Sequence, residues 1–501
     1  MFHSDSVPFI VRRLALGVAT IDIALVAYIL YRRALRRRFY AARDAAQARF
    51  STIVNDFLTG RASLDDAFST MNCRGVAEDE AIKGLLLQGM NNANRSRSTE
   101  LLFRLGFVET WARAAFGKER AGQLLEAIKT GRPVPAVGRI GPWRRFRAFR
   151  ALSLSRAIAV ARLGRLSEQY AQTFLVEGLQ DPSSYVGRLS VAAMGRNQFP
   201  NGVPLLLEQL KKAVQGESEL PVRSIRTALV RYPLAELKHY VPVVNHGSGR
   251  LRFLAVDTIR EICKGTPHDF IDSAFPSELR DWFLCQAIQD PLADVRARSA
   301  PVIACFRNPQ ATAALQILLR DENEFVRLHA VRACADQYYS PLIADLVQRL
   351  MDRRWRVREA AVRTLTSFPD AGRQRLEEFF LATTDRYASE QIADELQRSG
   401  AAVEIAMSLA AKDPAGKQSE AVCAKFAQLG MSSLLLELLQ NKETQPPVRE
   451  LLLKIMARVE VPRLDAVLQR IAQDGSDPLQ PRAQALLQSW QTMAAVAAEP
   501  N

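Results

Sequence analysis

The sequence predicts an all-α protein in which an N-terminal transmembrane helix precedes an α-solenoid of about ten helix pairs. Three observations support this fold class. An apolar run long enough to cross a bilayer lies near the N-terminus, and a short pattern of Asp, Val and Arg recurs at a step of about 30 residues farther along. Ala, Leu and Arg dominate the composition, and no long segment alternates polar with apolar residues as strands do.

The apolar run is Leu14–Tyr31, which has 18 residues and one charged side chain. A helix of this length reaches about 27 Å, enough for the hydrocarbon core of a bilayer. A cleaved signal peptide is the competing interpretation. However, the run is long, and RRALRRR follows it where a cleavage site would need small residues. We therefore predict a transmembrane helix over 14–31.

The arginines that flank this run predict its orientation. Arg12 and Arg13 precede it. Five arginines follow it at once: Arg32, Arg33, Arg36, Arg37 and Arg38. Because basic loops stay on the cytoplasmic side, we expect a single-pass protein of the inner (plasma) membrane. Its N-terminus would lie outside and the bulk of the chain in the cytoplasm.

The one charge inside the run is Asp22. An ionised carboxylate at the bilayer centre costs about 2.5–3.5 kcal/mol on insertion scales, so we expect this group to be neutral or paired. Two interpretations stay open: a polar contact with a partner transmembrane helix, and a defect that the apolar segment tolerates.

The formal charge of +14 is concentrated near the N-terminus. Arg32–Phe50 carries seven Arg and one Asp, and Arg132–Arg165 carries nine Arg and no acidic residue. From Thr366 onward there are 14 basic and 18 acidic residues. This gradient is what a protein held against an anionic membrane surface would show.

Within the basic stretch, Trp143 is closely followed by Arg144, Arg145 and Arg147. Such a segment could lie on anionic headgroups or dock on a partner. It could also bind single-stranded nucleic acid through residues 132–165. The simplest interpretation is the first helix of the array, with its aromatic side chains in the core.

The recurring pattern is clearest in the middle of the chain, where an Asp is followed five and six residues later by Val and Arg. The three copies are Asp290, Val295 and Arg296; Asp321, Val326 and Arg327; and Asp352, Val357 and Arg358. Successive aspartates are 31 residues apart. Weaker copies extend the pattern upstream, as at Asp181, and downstream, as at Val448-Arg449, while the copies near Asp385, Asp413 and Asp474 are degraded. We expect the Asp to cap the second helix of each pair, the Val to face the core and the Arg to pair with aspartates of neighbouring units. Since one helix pair cannot bury its apolar face alone, the units should stack.

These patterns divide the chain into seven predicted segments. They are an extracytoplasmic tail (1–13), the transmembrane helix (14–31), a basic juxtamembrane helix (32–50), a helical N-terminal capping region (51–131), a basic aromatic linker (132–150), the repeat solenoid (151–490) and a frayed tail (491–501).

The sequence contains none of the common catalytic or metal-binding motifs. The five histidines have no HExxH or CxxC neighbours, and neither a Walker loop nor a GxSxG elbow occurs. His329 lies inside a clear repeat and is interpreted as structural. The six cysteines are scattered and predict buried free thiols in a reducing compartment. We expect no enzymatic activity, cofactor or metal.

The pattern D-x-x-x-x-V-R-x-x-A, at a step of about 30 residues over about 150–490, resembles HEAT repeats. It is closest to the short bacterial HEAT-like type that phycobilisome lyases also contain, although no pigment-handling residues can be carried over. The resemblance implies an armadillo-like α-solenoid. The whole layout, with the segment Glu100–Arg113 ahead of the repeats, resembles bacterial membrane-anchored HEAT-repeat proteins. Their genes often lie beside membrane glycosyltransferases, which implies such a partner.

The expected function is that of a membrane-anchored protein-binding scaffold or adaptor. An accessory subunit of membrane glycosyltransferase machinery that makes exopolysaccharide is the alternative, and nucleic-acid binding ranks last.

Overall fold

A computed structural model describes residues 6–72, 75–132, 153–337, 339–368, 371–411, 414–459 and 461–497. Side chains at the N-terminus are described from residue 17. All regular secondary structure in these ranges is helical, with no strand, which confirms the predicted all-α class. The chain divides into two compact units, Met1–Tyr232 and Pro233–Asn501. The predicted repeat region therefore falls in both units.

The described part of the first unit begins with one long helix, which shorter helices follow. The helices are α1 (Ser6–Thr59), α2 (Leu64–Met71), α3 (Val76–Gly89), α4 (Arg95–Arg104), α5 (Phe107–Phe116), α6 (Lys118–Thr130), α7 (Ser153–Leu163), α8 (Glu168–Leu179), α9 (Ser184–Asn197), α10 (Gly202–Gln215) and α11 (Val222–Leu229). The second half of the unit has a repeating arrangement, in which α5, α7, α9 and α11 pack each on the next.

The second unit continues with helix pairs. Its helices are α12 (Val241–His246), α13 (Gly249–Cys263), α14 (His268–Ala274), α15 (Ser277–Asp281), α16 (Ala293–Ile303), α17 (Pro309–Leu319), α18 (Glu324–Asp336), α19 (Ile343–Arg349), α20 (Trp355–Ser367), α21 (Ala371–Ala382), α22 (Arg386–Arg398), α23 (Ala401–Met407), α24 (Pro414–Gln428), α25 (Ser433–Gln440), α26 (Pro446–Val459), α27 (Leu464–Gln473) and α28 (Gln480–Ala497). The second helices of successive pairs, α13, α16, α18, α20 and α22, pack in order.

Small residues allow these second helices to approach closely. Ala300, Ala330 and Ala361, the alanines of the three clear repeats, are fully buried. In the first unit, a Cβ added at Gly195 would lie 2.6 Å from the Cα of Ala228 on the next second helix. A larger residue would separate the two helices, so the small positions of the pattern follow from helix packing.

The helix α1 crosses three of the predicted segment boundaries. It runs without a break from Ser6 to Thr59, through the segments predicted as tail, transmembrane helix and juxtamembrane helix. It then enters the capping region. The helix is not interrupted because no Pro or Gly occurs in the sequence between Gly17 and Gly60. At the other end of the chain, α28 continues past Trp490 to Ala497.

No single helix among the described residues is long and apolar enough to cross a membrane. One pair bent by 118°, Gly416–Gln428 with Ser433–Gln440, has the length and composition to do so. Residues 14–16 of the predicted transmembrane helix precede the described side chains, and the membrane segment stays a prediction.

Candidate functional site along the repeat edge

Arginine–aspartate pairs join the N-terminal ends of successive second helices, and we call this series of pairs the ladder. The ladder consists of Arg252 with Asp290, Arg296 with Asp321, and Arg327 with Asp352. In each pair the Nε of the arginine donates to one carboxylate oxygen at 2.7 Å, and a second guanidinium nitrogen donates to the other at 2.8–3.1 Å. Each pair joins one repeat to the next, as the sequence predicts.

Every aspartate of the ladder also organises its own turn. The Oδ1 atom of Asp321 accepts the backbone N–H of Asn323 at 2.8 Å, and its backbone carbonyl accepts the third nitrogen of Arg327 at 2.8 Å. The turns at Asp290 and Asp352 repeat this geometry. One arginine therefore closes its own turn and holds the aspartate of the following repeat.

Because these side chains are buried, each charge needs its partner. The side chains of Arg327 and Asp352 are 4% and 3% exposed. Burial alone would raise the pKa of Asp352, but hydrogen bonds from Arg327 and from the backbone N–H of Arg354 outweigh it and lower the pKa below its usual value. Both groups are therefore charged, and removal of either one leaves a buried charge without its partner.

Two further pairs of the same kind occur outside the clear repeats. Arg449 and Asp477 are almost fully buried and joined by two hydrogen bonds of 3.1 and 2.7 Å. In the first unit Arg156 pairs with Asp181. Here burial outweighs the hydrogen bonds and raises the pKa of Asp181. Sequence reasoning identified Arg449 and Asp181 as parts of weaker copies, but not their partners.

The ladder ends at Arg358. Its NH1 donates to the carbonyl of Asp352 at 2.8 Å, but its Nε is buried without a hydrogen-bond partner among the described residues. The aspartate of the following copy, Asp385, instead accepts the backbone N–H groups of Tyr387 and Ala388. The predicted pairing along the stack therefore does not extend to Arg358.

A row of exposed apolar side chains follows the ladder at the start of the second helices. This apolar row consists of Leu292, Phe325, Trp355 and Tyr387, which are 41%, 51%, 56% and 77% exposed. Each lies two to four residues after the aspartate of its copy. Sequence reasoning missed the row, although a large apolar residue just after each Asp was a signal for it.

Polar contacts hold the middle of the apolar row in register. The Nε of Arg354 lies 2.6 Å from the carboxylate of Glu324, and Arg353 donates to the carbonyl of Glu322 at 3.0 Å. These contacts tie the turn before Trp355 to the turn before Phe325. The guanidinium of Arg356 lies 5.6 Å from the Trp355 ring centre, at cation–π distance.

The predicted membrane-docking residues lie in two places. Asp22 and the arginines that follow the apolar run are exposed on α1. Arg32 donates to the hydroxyl of Tyr28 at 3.1 Å. Trp143, Arg144, Arg145 and Arg147 lie outside the described residues.

Within the described part of the chain, no three His, Cys, Asp or Glu side chains are grouped so that they could hold a metal ion. Five described cysteines are free thiols, and four of them are buried: Cys263, Cys305, Cys334 and Cys423. Burial raises the pKa of Cys334 to about 12, so this thiol is unreactive at neutral pH. Cys285 is exposed, which the prediction of buried thiols did not anticipate.

His329 is half-buried on α18. Its pKa is lowered to about 4, chiefly by burial and also by the nearby charges of Arg298, Arg332 and Arg260, while Asp257 acts in the opposite direction. The imidazole is therefore neutral at physiological pH. These neighbours form no nucleophile–base pair, which fits the structural role predicted for it.

The comparisons with known proteins agree with this description of the repeats. The family model for HEAT repeats matches residues 282–366 and 316–397, which include all three clear copies. The chain therefore contains a HEAT-repeat domain, as the sequence pattern indicates. No curated protein sequence matches the chain.

Solved helical proteins are similar to this chain only at low identity. An engineered protein is 17% identical over 69% of this chain and 97% of its own length, with a TM-score of 0.29. A Kap121p mutant is 13% identical over 84% of this chain and half of its own length, with a TM-score of 0.40. Importin beta is 12% identical over 91% of this chain and 70% of its own length, with a TM-score of 0.32.

Removal of a buried ladder arginine should destabilise the second unit strongly. We expect Arg327→Met to cost about 3–5 kcal/mol, because Asp352 would lose both hydrogen bonds to Arg327 and stay buried with only the longer contact to Arg349 at 3.5 Å. The pair of Arg320 and Asp345 is the matched control, since it has the same spacing but its arginine is 67% exposed. Arg320→Met should cost less than about 1 kcal/mol. Thermal unfolding of the full chain measures both, and equal shifts in the two midpoints would contradict a special role for the ladder.

The low pKa of His329 predicts a dependence of stability on pH. The ordinary pKa of a histidine is 6.5, and the pKa of His329 in the folded chain is about 4. Between these two pH values the unfolded chain binds a proton at His329 that the folded chain does not. Stability should therefore fall as the pH drops through this window, and His329→Gln should remove part of the fall. Unfolding midpoints at pH 7 and pH 5 test this, with His246→Gln, at an exposed histidine, as control. Identical pH profiles for wild type and His329→Gln would refute it.

Proposed function

We propose that the chain is a membrane-anchored scaffold that binds a protein partner along the apolar row. The observation that carries the proposal is the row itself. Four large apolar side chains lie two to four residues after the aspartates of four successive copies, and all four are exposed. A repeat stack that presents one such side chain per repeat offers a partner a continuous binding surface.

The chemistry of the row suits a protein partner. Trp, Tyr and Arg are the residues that most often dominate the energy of protein–protein interfaces. Trp355 and Tyr387 supply the aromatic anchors, and Arg353 and Arg356 lie exposed beside Trp355. The ion pair of Arg354 with Glu324 fixes the spacing of the central anchors before a partner arrives, which lowers the entropic cost of binding.

Support for the membrane anchor comes from the exposed surface of α1. From Val18 to Tyr31 the large apolar side chains are all more than half exposed, with Ile21 and Ile23 at 67% and 69%. A helical segment that is apolar on every side and exposed along its length is unstable in water but suits a bilayer. The arginines that follow would lie at the headgroups of the cytoplasmic leaflet.

The family resemblance extends the proposal to the identity of the partner. A membrane glycosyltransferase would share the membrane with α1, and Asp22 would be available to a polar group on one of its helices. In this form of the proposal the apolar row binds a cytoplasmic part of the same enzyme assembly.

Site-specific photo-crosslinking in native membranes tests the binding surface. A photoreactive amino acid at position 325 or 355 should give adducts of one common mass, because both positions face the same partner. Ile317 is the matched control, since it is 50% exposed and belongs to the second unit but lies on α17, the first helix of its pair, and not at the start of a second helix. Adducts at position 317 as strong as those at 355 would contradict the proposed surface. Mass spectrometry of the adduct identifies the partner and decides whether it is a glycosyltransferase component.

Charged substitutions in the anchor should release the chain from membranes. We expect Leu25→Lys with Ile29→Lys to prevent insertion, because each lysine costs about 2.5–3.5 kcal/mol at the centre of a membrane helix. Val76→Lys is the control, since Val76 is an apolar residue of the same unit and 80% exposed. Alkaline extraction should release the double variant and retain the wild type and the control. Release of the wild-type chain would contradict the anchor.

A further inference from the structure

In the first unit, three arginines follow or end successive second helices. Arg165 comes two residues after α7, Arg196 lies in the last turn of α9, and Arg231 comes two residues after α11. Their separations of 31 and 35 residues correspond to the repeat. All three side chains are exposed.

Hydrogen bonds from one turn bring these three residues together. The side chain of Asn197 donates to the carbonyl of Gly164 at 2.5 Å, and the side chain of Gln198 donates to the carbonyl of Arg231. The turn that directly follows Arg196 therefore binds the backbone beside Arg165 and that of Arg231. Gln198 has a φ of +52°, a left-handed conformation that a residue other than glycine rarely adopts.

A fourth arginine reaches the same turn from another element. The NH1 of Arg95 donates to the side-chain oxygen of Asn197 at 3.3 Å, while its Nε is buried without a hydrogen-bond partner among the described residues. The arginine cluster is thus Arg95, Arg165, Arg196 and Arg231. Burial lowers the pKa of Arg196, and the like charges of Arg165 and Arg231 lower it further.

The described part of the chain supplies no acidic partner to this cluster. Elsewhere in the first unit several arginines pair with carboxylates, as Arg120 does with Glu177 and Arg162 with Glu80. None of the four arginines of the cluster forms an ion pair with a described residue. The carboxyl ends of α7, α9 and α11 contribute about half a negative charge each, so the four guanidinium groups keep an excess of about 2.5 positive charges.

We propose that the arginine cluster is a binding site for a phosphate group. A phosphate monoester carries about 1.5–2 negative charges and three acceptor oxygens, which several guanidinium groups can bind in a bidentate manner. A carboxylate has half that charge and fewer oxygens. The exposed large apolar residue on α9 is Tyr185, at the opposite end of the helix from Arg196. The helix α9 therefore places no exposed aromatic ring beside the cluster on which a base of single-stranded nucleic acid could stack.

The phosphate could belong to a soluble compound or to a lipid headgroup, and the experiment separates the two. The full chain in neutral detergent is titrated with inorganic pyrophosphate, with micelles that contain phosphatidic acid, and with citrate, by isothermal calorimetry. Pyrophosphate binding indicates a soluble ligand, and binding of the phosphatidic acid micelles alone indicates a lipid. Either result supports the site if Arg196→Gln and Arg231→Gln each weaken binding about tenfold or more.

Arg188→Gln is the matched control, because Arg188 is exposed on the same helix α9, eight residues before Arg196, and forms no ion pair with a described residue. It should bind like the wild type. Arg196→Lys keeps the charge but loses the planar fork, and should fall between wild type and Arg196→Gln. Unchanged thermal unfolding shows that the variants are folded. No binding of either phosphate ligand, equal binding of citrate, or an equal loss in Arg188→Gln would overturn the proposal. The outcome is independent of the scaffold function.

Discussion

A buried guanidinium between two repeats constrains the second unit more than any other single interaction. Arg327 satisfies its three nitrogens with a carbonyl of its own repeat and both carboxylate oxygens of the next repeat. Since a charge that is only 4% exposed cannot be left unpaired, a neighbouring repeat can stack only in the register that brings its aspartate to this arginine. Such a pair adds little net stability beyond what apolar packing gives, but it excludes alternative registers at high cost.

The exposed surface follows from this register. Each ladder aspartate accepts a backbone N–H in the turn just before a second helix. It is not the N-capping residue that the sequence predicts, since Leu292, Asn323 and Arg354 hold that position. Leu292, Phe325 and Trp355 therefore all lie close to this turn in their own repeats, two to four residues after the aspartate. The same interaction that fixes the stack also arranges the surface that we propose for a partner.

Much of this arrangement could be predicted from the sequence, because the repeat is local. The Asp, Val and Arg of one copy lie within seven residues, and the 31-residue step shows which copies are neighbours. Other features depend on contacts that the pattern does not contain. Arg358 has the correct position in its copy, but Asp385 caps its own helix instead of pairing with it. The arginine cluster joins residues up to 136 positions apart through the side chains of Asn197 and Gln198, and no periodicity reveals that.

The two units also differ in how they balance charge. The first unit holds 35 Lys and Arg against 19 Asp and Glu, whereas the second holds 32 against 34. In the second unit nearly every buried arginine can therefore have an internal carboxylate, and the ladder uses this balance. In the first unit at least 16 cationic side chains have no carboxylate of their own unit to pair with. Repulsion among them destabilises the folded unit unless ions, lipids or a partner neutralise them. The exposed arginines of α1 and the arginine cluster are places where such anions would reduce this repulsion most.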